Sequence, residues 1–240
     1  MLITISASKA LTKWLQIELP RIPSPDGKRV GTQPLVTDSE SISWQCHVVQ
    51  NYYQHGAYTV IAVEAYSRFT LLLPFNVAPT QKEFEQRLCE HWASVLVSLM
   101  VRHGDIDRDQ VPAIFSQCQQ KMVNIKWCRN TDLSVNGHVS DAEQWVKQTI
   151  DERRVDALSV DEAFDLAMHI NQFFKNAKDE QGKKQRFYPI PRFVEDGLYR
   201  FASALLDKDV RTSPYLANGP SVIGQDNVVS LADYRVRRAK

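Results

Sequence analysis

Residues 44–75 constrain the fold more than any other stretch of this chain. They hold three apolar runs of strand length: Trp44-Gln-Cys-His-Val-Val, Tyr58-Thr-Val-Ile-Ala-Val-Glu and Arg68-Phe-Thr-Leu-Leu-Leu-Pro-Phe. Short polar breaks at residues 51–56 and 65–67 separate them. Val, Ile, Tyr and Phe dominate the runs, as they do in strands that pack on a core. Breaks of this length join neighbouring antiparallel strands, so the stretch predicts a three-strand meander.

The rest of the chain supplies layers for that meander. Residues 1–6 read as a short strand. Ser6 or Ser8 caps a helix that runs to about residue 16, with Leu11, Trp14 and Leu15 on one face. Residues 19–40 hold four prolines and two glycines and read as a long surface loop. Thr80 and Glu83 form a capping box ahead of Phe84, Leu88, Trp92, Val95, Leu96 and Leu99, the strongest helical periodicity in the chain. A helix over about residues 107–119 and a strand over 122–127 follow. Residues 130–138, with Gly137, read as a polar loop, after which Ser140 and Glu143 suggest a second capping box. Ser159 and Glu162 start another helix, and a last one spans about 191–206.

The expected fold is α+β: an antiparallel sheet of four or five strands with helices packed mainly on one face. Residues 1–206 form this single domain. Residues 207–240 form a linker and flexible tail, since Pro214, Gly219, Pro220 and Gly224 interrupt helix and strand alike.

Charge and cysteine usage exclude several classes. The 29 basic and 28 acidic residues leave a net charge of +1, which gives no global attraction to nucleic acid or anionic lipid. No apolar stretch is long enough to span a bilayer, and no basic segment precedes a long apolar one at the N-terminus. A cytoplasmic protein without membrane contact is expected. Cys46, Cys89, Cys118 and Cys128 form no C-x-x-C pair, so neither a zinc ribbon nor a redox motif is indicated. The six histidines show no metal-binding helical spacing, and no phosphate-cradling glycine loop occurs. Neither a cofactor nor a metal is expected.

Three groups of residues are candidates for function. Lys183, Lys184, Arg186, Phe187, Tyr188 and Arg192 set cations beside aromatics, a composition that neutralises phosphates and stacks bases, or that anchors an inter-helix loop. His47, Arg129, Asn130, Ser134 and His138 make a polar group that an enzyme could use. Val228, Val229, Leu231 and Tyr234, ahead of a basic C-terminus, have the make-up of a short motif that docks on a protein partner.

Several segments carry a resemblance. Residues 8–15 are similar to T-x-K-L-x-K-x-L, Trp44-Gln-Cys-His-Val to W-x-A-x-L, and Arg68-Phe-Thr-Leu-Leu-Leu-Pro to R-F-x-L-F-L-P. Residues 130–138 follow T-x-x-R-S-V-L-G-S-M, with Leu133 and Asn136 where that pattern has Arg and Leu. Ile170-Asn171-Gln172 precedes the aromatic Phe187-Tyr188-Pro189. In this order they resemble the uncharacterised bacterial domain-of-unknown-function family 6933, over roughly residues 1–206. The resemblance implies an α+β fold and no activity. A rival resemblance joins Trp44-x-x-His47 and Glu64-Ala-Tyr-Ser67-Arg68-Phe to the start of a retroviral-type integrase core, whose carboxylates hold two metal ions. Here His47 replaces the first of them. The first functional reading is a non-enzymatic binding or regulatory protein. The alternatives are an enzyme of unrecognised chemistry with a polar site near residues 129–138, and a catalytically dead integrase-like fold that binds nucleic acid.

Overall fold

The structure, a computed structural model, describes residues 1–23, 28, 30–51, 57–178, 183–206 and 214–215. The chain opens with β1 (Leu2–Ala7), α1 (Lys9–Leu15), β2 (Ser41–Gln50), β3 (Tyr58–Glu64) and β4 (Thr70–Phe75). Then come α2 (Gln81–His103), a 3-10 turn at Arg108–Gln110, α3 (Val111–Lys121), β5 (Asn124–Arg129) and α4 (Leu133–Arg153). It closes with α5 (Val160–Asn171), a hairpin of β6 (Lys175–Lys178) and β7 (Lys184–Phe187), α6 (Pro189–Gly197) and a π turn at Leu198–Ala202.

The main sheet has five strands in the order β4-β3-β2-β1-β5. The meander forms as its sequence predicts: β2 pairs antiparallel with β3, and β3 with β4. The sheet as a whole is mixed rather than antiparallel, because β1 runs parallel to both β2 and β5. A parallel neighbour needs a crossover, and the loop that carries residues 19–40 supplies it for β1 and β2. The helices also cover both faces rather than mainly one. Trp44 of β2 meets Trp92 of α2 and Phe193 of α6. The next residues on the opposite face, Gln45 and His47, meet the start of α4 and its Glu143. Strands β2 and β3 are accordingly buried along nearly their whole length.

Local signals set the helix starts. Ser8 accepts from the Leu11 N–H to cap α1, and Gln16 closes the helix in the left-handed region. Thr80 with Glu83, and Ser159 with Glu162, form complete capping boxes for α2 and α5. Gly104 ends α2 with φ 72°. Gly197 permits the close crossing of α6 on α2, where a Cβ would lie 2.4 Å from Leu96 Cδ1 and 2.8 Å from Met100 Cε. At the outer edge of the sheet, the buried Asn171 amide donates to the Thr70 carbonyl and accepts its N–H, both at 2.8 Å. That amide pairs β4 as a further strand would.

Three other expectations need correction. Residues 130–138 are not a loop: Asp132 caps α4, which runs unbroken through Gly137 and past Ser140. Ser140 and Glu143 therefore lie inside a helix and cap nothing. Residues 175–187 hold a two-stranded hairpin rather than a connector alone. The long loop is tied to the sheet, with Arg129 N–H donating to the Pro20 carbonyl and Thr131 N–H to that of Gly31. Among the described residues no helix is long and apolar enough to cross a membrane.

The meander and α2 depend on each other, and Leu88 lies fully buried between them. Leu88→Ala should lower stability by about 2–5 kcal/mol. Chemical denaturation is the measurement, and a midpoint equal to that of the wild type would refute the assignment of α2 as the core helix.

Candidate functional site

The turn between β3 and β4 places the most unusual side chain of the molecule. Glu64 is buried, and its carboxylate accepts from Thr37 Oγ1 at 2.7 Å, Tyr66 N–H at 2.9 Å, and Ser67 N–H and Oγ at 2.6 Å. With Arg68 N–H donating to the Glu64 carbonyl, the chain closes a tight turn that forces Arg68 to φ 58°. Gln16 and Arg154 also have positive φ, but they are exposed helix caps. Arg68 is 7% exposed. A non-glycine residue held there costs about 1 kcal/mol or more.

Helix α4 meets that arginine. Asp132 Oδ1 accepts from the N–H and the hydroxyl of Ser134, both at 2.7 Å, and Oδ2 accepts from Leu35 N–H. Ser134 Oγ in turn accepts from Arg68 Nη2 at 3.1 Å. Arg68 Nε and Nη1 have no hydrogen-bond partner among the described residues. One turn along α4 stands His138. Its ring lies beside the backbone of Asn176, and its buried Nδ1 has no partner among the described residues. Burial, with help from the charges of Arg68 and Lys175, pulls its pKa down to about 4, so the ring is neutral and Nδ1 is a bare acceptor. Lys175, 8% exposed, interacts with the same histidine and with Asp141, and burial lowers its pKa.

The polar group read from sequence is thus divided. Ser134 and His138 come together, and Arg68 and Lys175 join them. Asn130 is structural: its amide holds both the N–H and the carbonyl of Gln33 at 2.8 Å, and its own carbonyl accepts from Ser6 and Gln45. Arg129 is half-buried and bridges to Arg21. His47 Nδ1 lies 2.9 Å from Ser8 Oγ, and Nε2 lies 3.7 Å from Glu143. Register pairs Trp44 with Glu64, so Glu64 and His47 leave the sheet on opposite faces. That arrangement does not provide the carboxylate pair an integrase needs. Among the described residues no group of three or more His, Cys, Asp or Glu could hold a metal ion.

The basic and aromatic segment forms strand β7 and the start of α6. Arg186 lies over Phe174, 3.2 Å from the ring centroid, and Arg192 lies over Phe187 at 3.5 Å. Lys183, Lys184 and Arg186 are exposed, as is Tyr188. Phe173 and Phe174, just ahead of β6, expose 46% and 41% of their surface and add aromatic area beside the hairpin. The tail candidates Val228, Val229, Leu231 and Tyr234 lie outside the described residues.

A second buried charge cluster had no signal in the sequence beyond an i, i+4 pair. Asp196 and Arg200, both under 5% exposed, share two hydrogen bonds at 2.8 and 2.9 Å. Arg200 Nη2 also donates to the Ser41 carbonyl and to Tyr215 Oη, and Tyr215 donates to Asp196. Burial pushes the Asp196 carboxyl up to about 6 against the pull of Arg200. The ring of Tyr215 packs on Tyr66 and Tyr199. All of these contacts join existing surfaces and leave a structural rather than a chemical centre.

The family model for a domain of unknown function (DUF6933) matches residues 4–191. The chain belongs to this family. No curated protein matches it. The DUF6933 match spans Arg68, Ser134, His138, Lys175 and the whole hairpin, whereas Arg192, Asp196, Arg200 and Tyr215 follow it.

Neutral His138 makes stability depend on pH. The unfolded histidine protonates near 6.5 and the folded one near 4, so the unfolded chain binds the extra proton between those values. Stability is full above pH 6.5 and falls as the pH drops toward 4, by at most about 3 kcal/mol and by less where water screens the site. Asp141, Arg68 and Lys175 are the charges that face the ring. Denaturant titrations at pH 7 and pH 4.5 should show a smaller acid loss for His138→Gln than for the wild type.

Proposed function

We propose that this DUF6933 protein is a non-enzymatic binding protein that takes an anionic partner on its β6–β7 hairpin. The observation that carries the reading is the pair of stacked guanidinium groups. Arg186 over Phe174 and Arg192 over Phe187 are held in fixed orientations, with Lys183 and Lys184 beside them on an exposed ribbon. A guanidinium that is already ordered loses less entropy when it binds a carboxylate or phosphate. Exposed Phe173, Phe174 and Tyr188 add apolar area of the kind found at interface centres.

The enzymatic reading has weaker support. Ser134 Oγ donates to Asp132 and accepts from Arg68, and that carboxylate is already engaged in capping α4 and in holding Leu35 N–H. A partner held through the tail motif, residues 228–234, belongs to the same binding reading, as does the division into a domain over 1–206 and a tail over 207–240. Pro214 and Tyr215 pack back on the domain.

The test compares the wild type with Lys183→Gln/Lys184→Gln/Arg186→Gln. The probes are a single-stranded oligonucleotide and a polyglutamate peptide, titrated at two salt concentrations. One of them should bind the wild type with strong salt dependence. For the oligonucleotide the triple variant should reduce the slope of log K against log salt by about 3. Failure of both probes to bind at low salt would overturn the proposal.

A further inference from the structure

A buried arginine with unpaired N–H groups needs an acceptor, and a neutral, half-buried histidine with a buried unpaired nitrogen needs a donor. Arg68 and His138 stand in these two states on either side of Ser134. Independently of the hairpin reading, we infer that Arg68, Ser134, His138 and Lys175 form a binding site for a phosphate group that carries one protonated oxygen, as inorganic phosphate or a phosphate monoester.

Each feature of the site fits that chemistry. Arg68 is nine-tenths buried, and Nε and Nη1 flank the nitrogen already bound to Ser134. Free N–H groups on two parts of one guanidinium suit a ligand with several acceptor oxygens. Leaving them unpaired in the fold forfeits the hydrogen bonds they would make to water. The backbone strain at φ 58° adds to that cost, and it fixes a long cation where a turn would ordinarily carry glycine. Lys175 supplies a second cation, partly balanced by Asp141. Ser134 is exposed and lies between the solvent and the buried arginine it binds.

The histidine decides which anion fits. With the ring proton on Nε2, on the side of the Asn176 backbone, Nδ1 can only accept. A phosphate with a P–OH group can donate to it. Sulfate at neutral pH has the same shape and size but no proton to give, and its oxygens would face the Nδ1 lone pair. A site built around a buried acceptor rejects the analogue that lacks the donor. Asp132 fits too, since it is occupied by Ser134 and Leu35 and does not project a bare carboxylate oxygen at the anion.

The experiment is isothermal titration calorimetry of the full chain at pH 7 with inorganic phosphate and with sulfate, at matched ionic strength. Phosphate should bind saturably, and sulfate should bind roughly tenfold or more weakly. Arg68→Gln should lose phosphate affinity by at least about tenfold. If that variant does not fold, Lys175→Gln is the second variant, with loss of affinity again expected. His138→Phe should retain phosphate binding while losing the preference over sulfate. A wild type that binds no phosphate, that binds both anions equally, or whose folded arginine or lysine variant binds phosphate unchanged would overturn the inference. None of these outcomes depends on Lys183, Lys184 or Arg186, so the hairpin proposal stands or falls separately.

Discussion

Asp132 joins three parts of the molecule that the chain keeps far apart. One oxygen accepts from Leu35 in the long crossover loop, and the other caps α4 through Ser134. The residue's own N–H donates to Gln45 in the middle strand of the sheet. Asn130, two residues earlier, repeats the pattern with the backbone of Gln33 and with Ser6 and Gln45. A crossover loop cannot lie against a sheet unless the backbone groups it turns inward find partners. These two side chains supply them. They also fix where α4 begins, and so where Ser134 and His138 stand relative to Arg68.

What was legible in the sequence follows from this division between local and tertiary causes. Capping boxes act within four residues, and Thr80 with Glu83 and Ser159 with Glu162 read correctly. The meander also read correctly, because its register is set by alternation and short turns. The direction of β1 was not legible, since Leu2–Ala7 has the same apolar pattern whether its neighbour runs parallel or antiparallel. Residues 130–138 misled because Gly137 and the surrounding polar residues weigh toward a loop, and because Ser140 with Glu143 imitates a cap. Inside α4 the packing of Val135, Val139, Ala142 and Val146 outweighs both signals.

The candidate site was legible only in fragments for the same reason. Ser134 and His138 share a helix face, which the loop reading concealed. Lys175 reaches them from a hairpin whose strands are four residues each, too short for periodicity to distinguish from a charged connector. Arg68 belongs to two sequence motifs, neither of which marks it as a site residue. Nothing in Arg68-Phe-Thr-Leu-Leu-Leu-Pro-Phe tells that its first residue is buried in the left-handed region, because that conformation is imposed by the Glu64 turn.

Glu64 therefore has a different role from the one its surroundings suggested. In the integrase-like pattern it would be a metal ligand, projecting a free carboxylate. Here four hydrogen bonds from Thr37, Tyr66 and Ser67 use its oxygens to hold a turn. The same turn directs Arg68 toward α4, where the acidic charge of Asp132 reaches it through the Ser134 hydroxyl rather than by direct contact. A direct bidentate pair would neutralise the guanidinium and close the site. An intervening hydroxyl satisfies one nitrogen, leaves the others unpaired, and keeps enough positive charge nearby for His138 to remain under its influence. The polarity of this region thus rests on the Glu64 carboxylate, which acts on Arg68 through the geometry of one turn and through its charge.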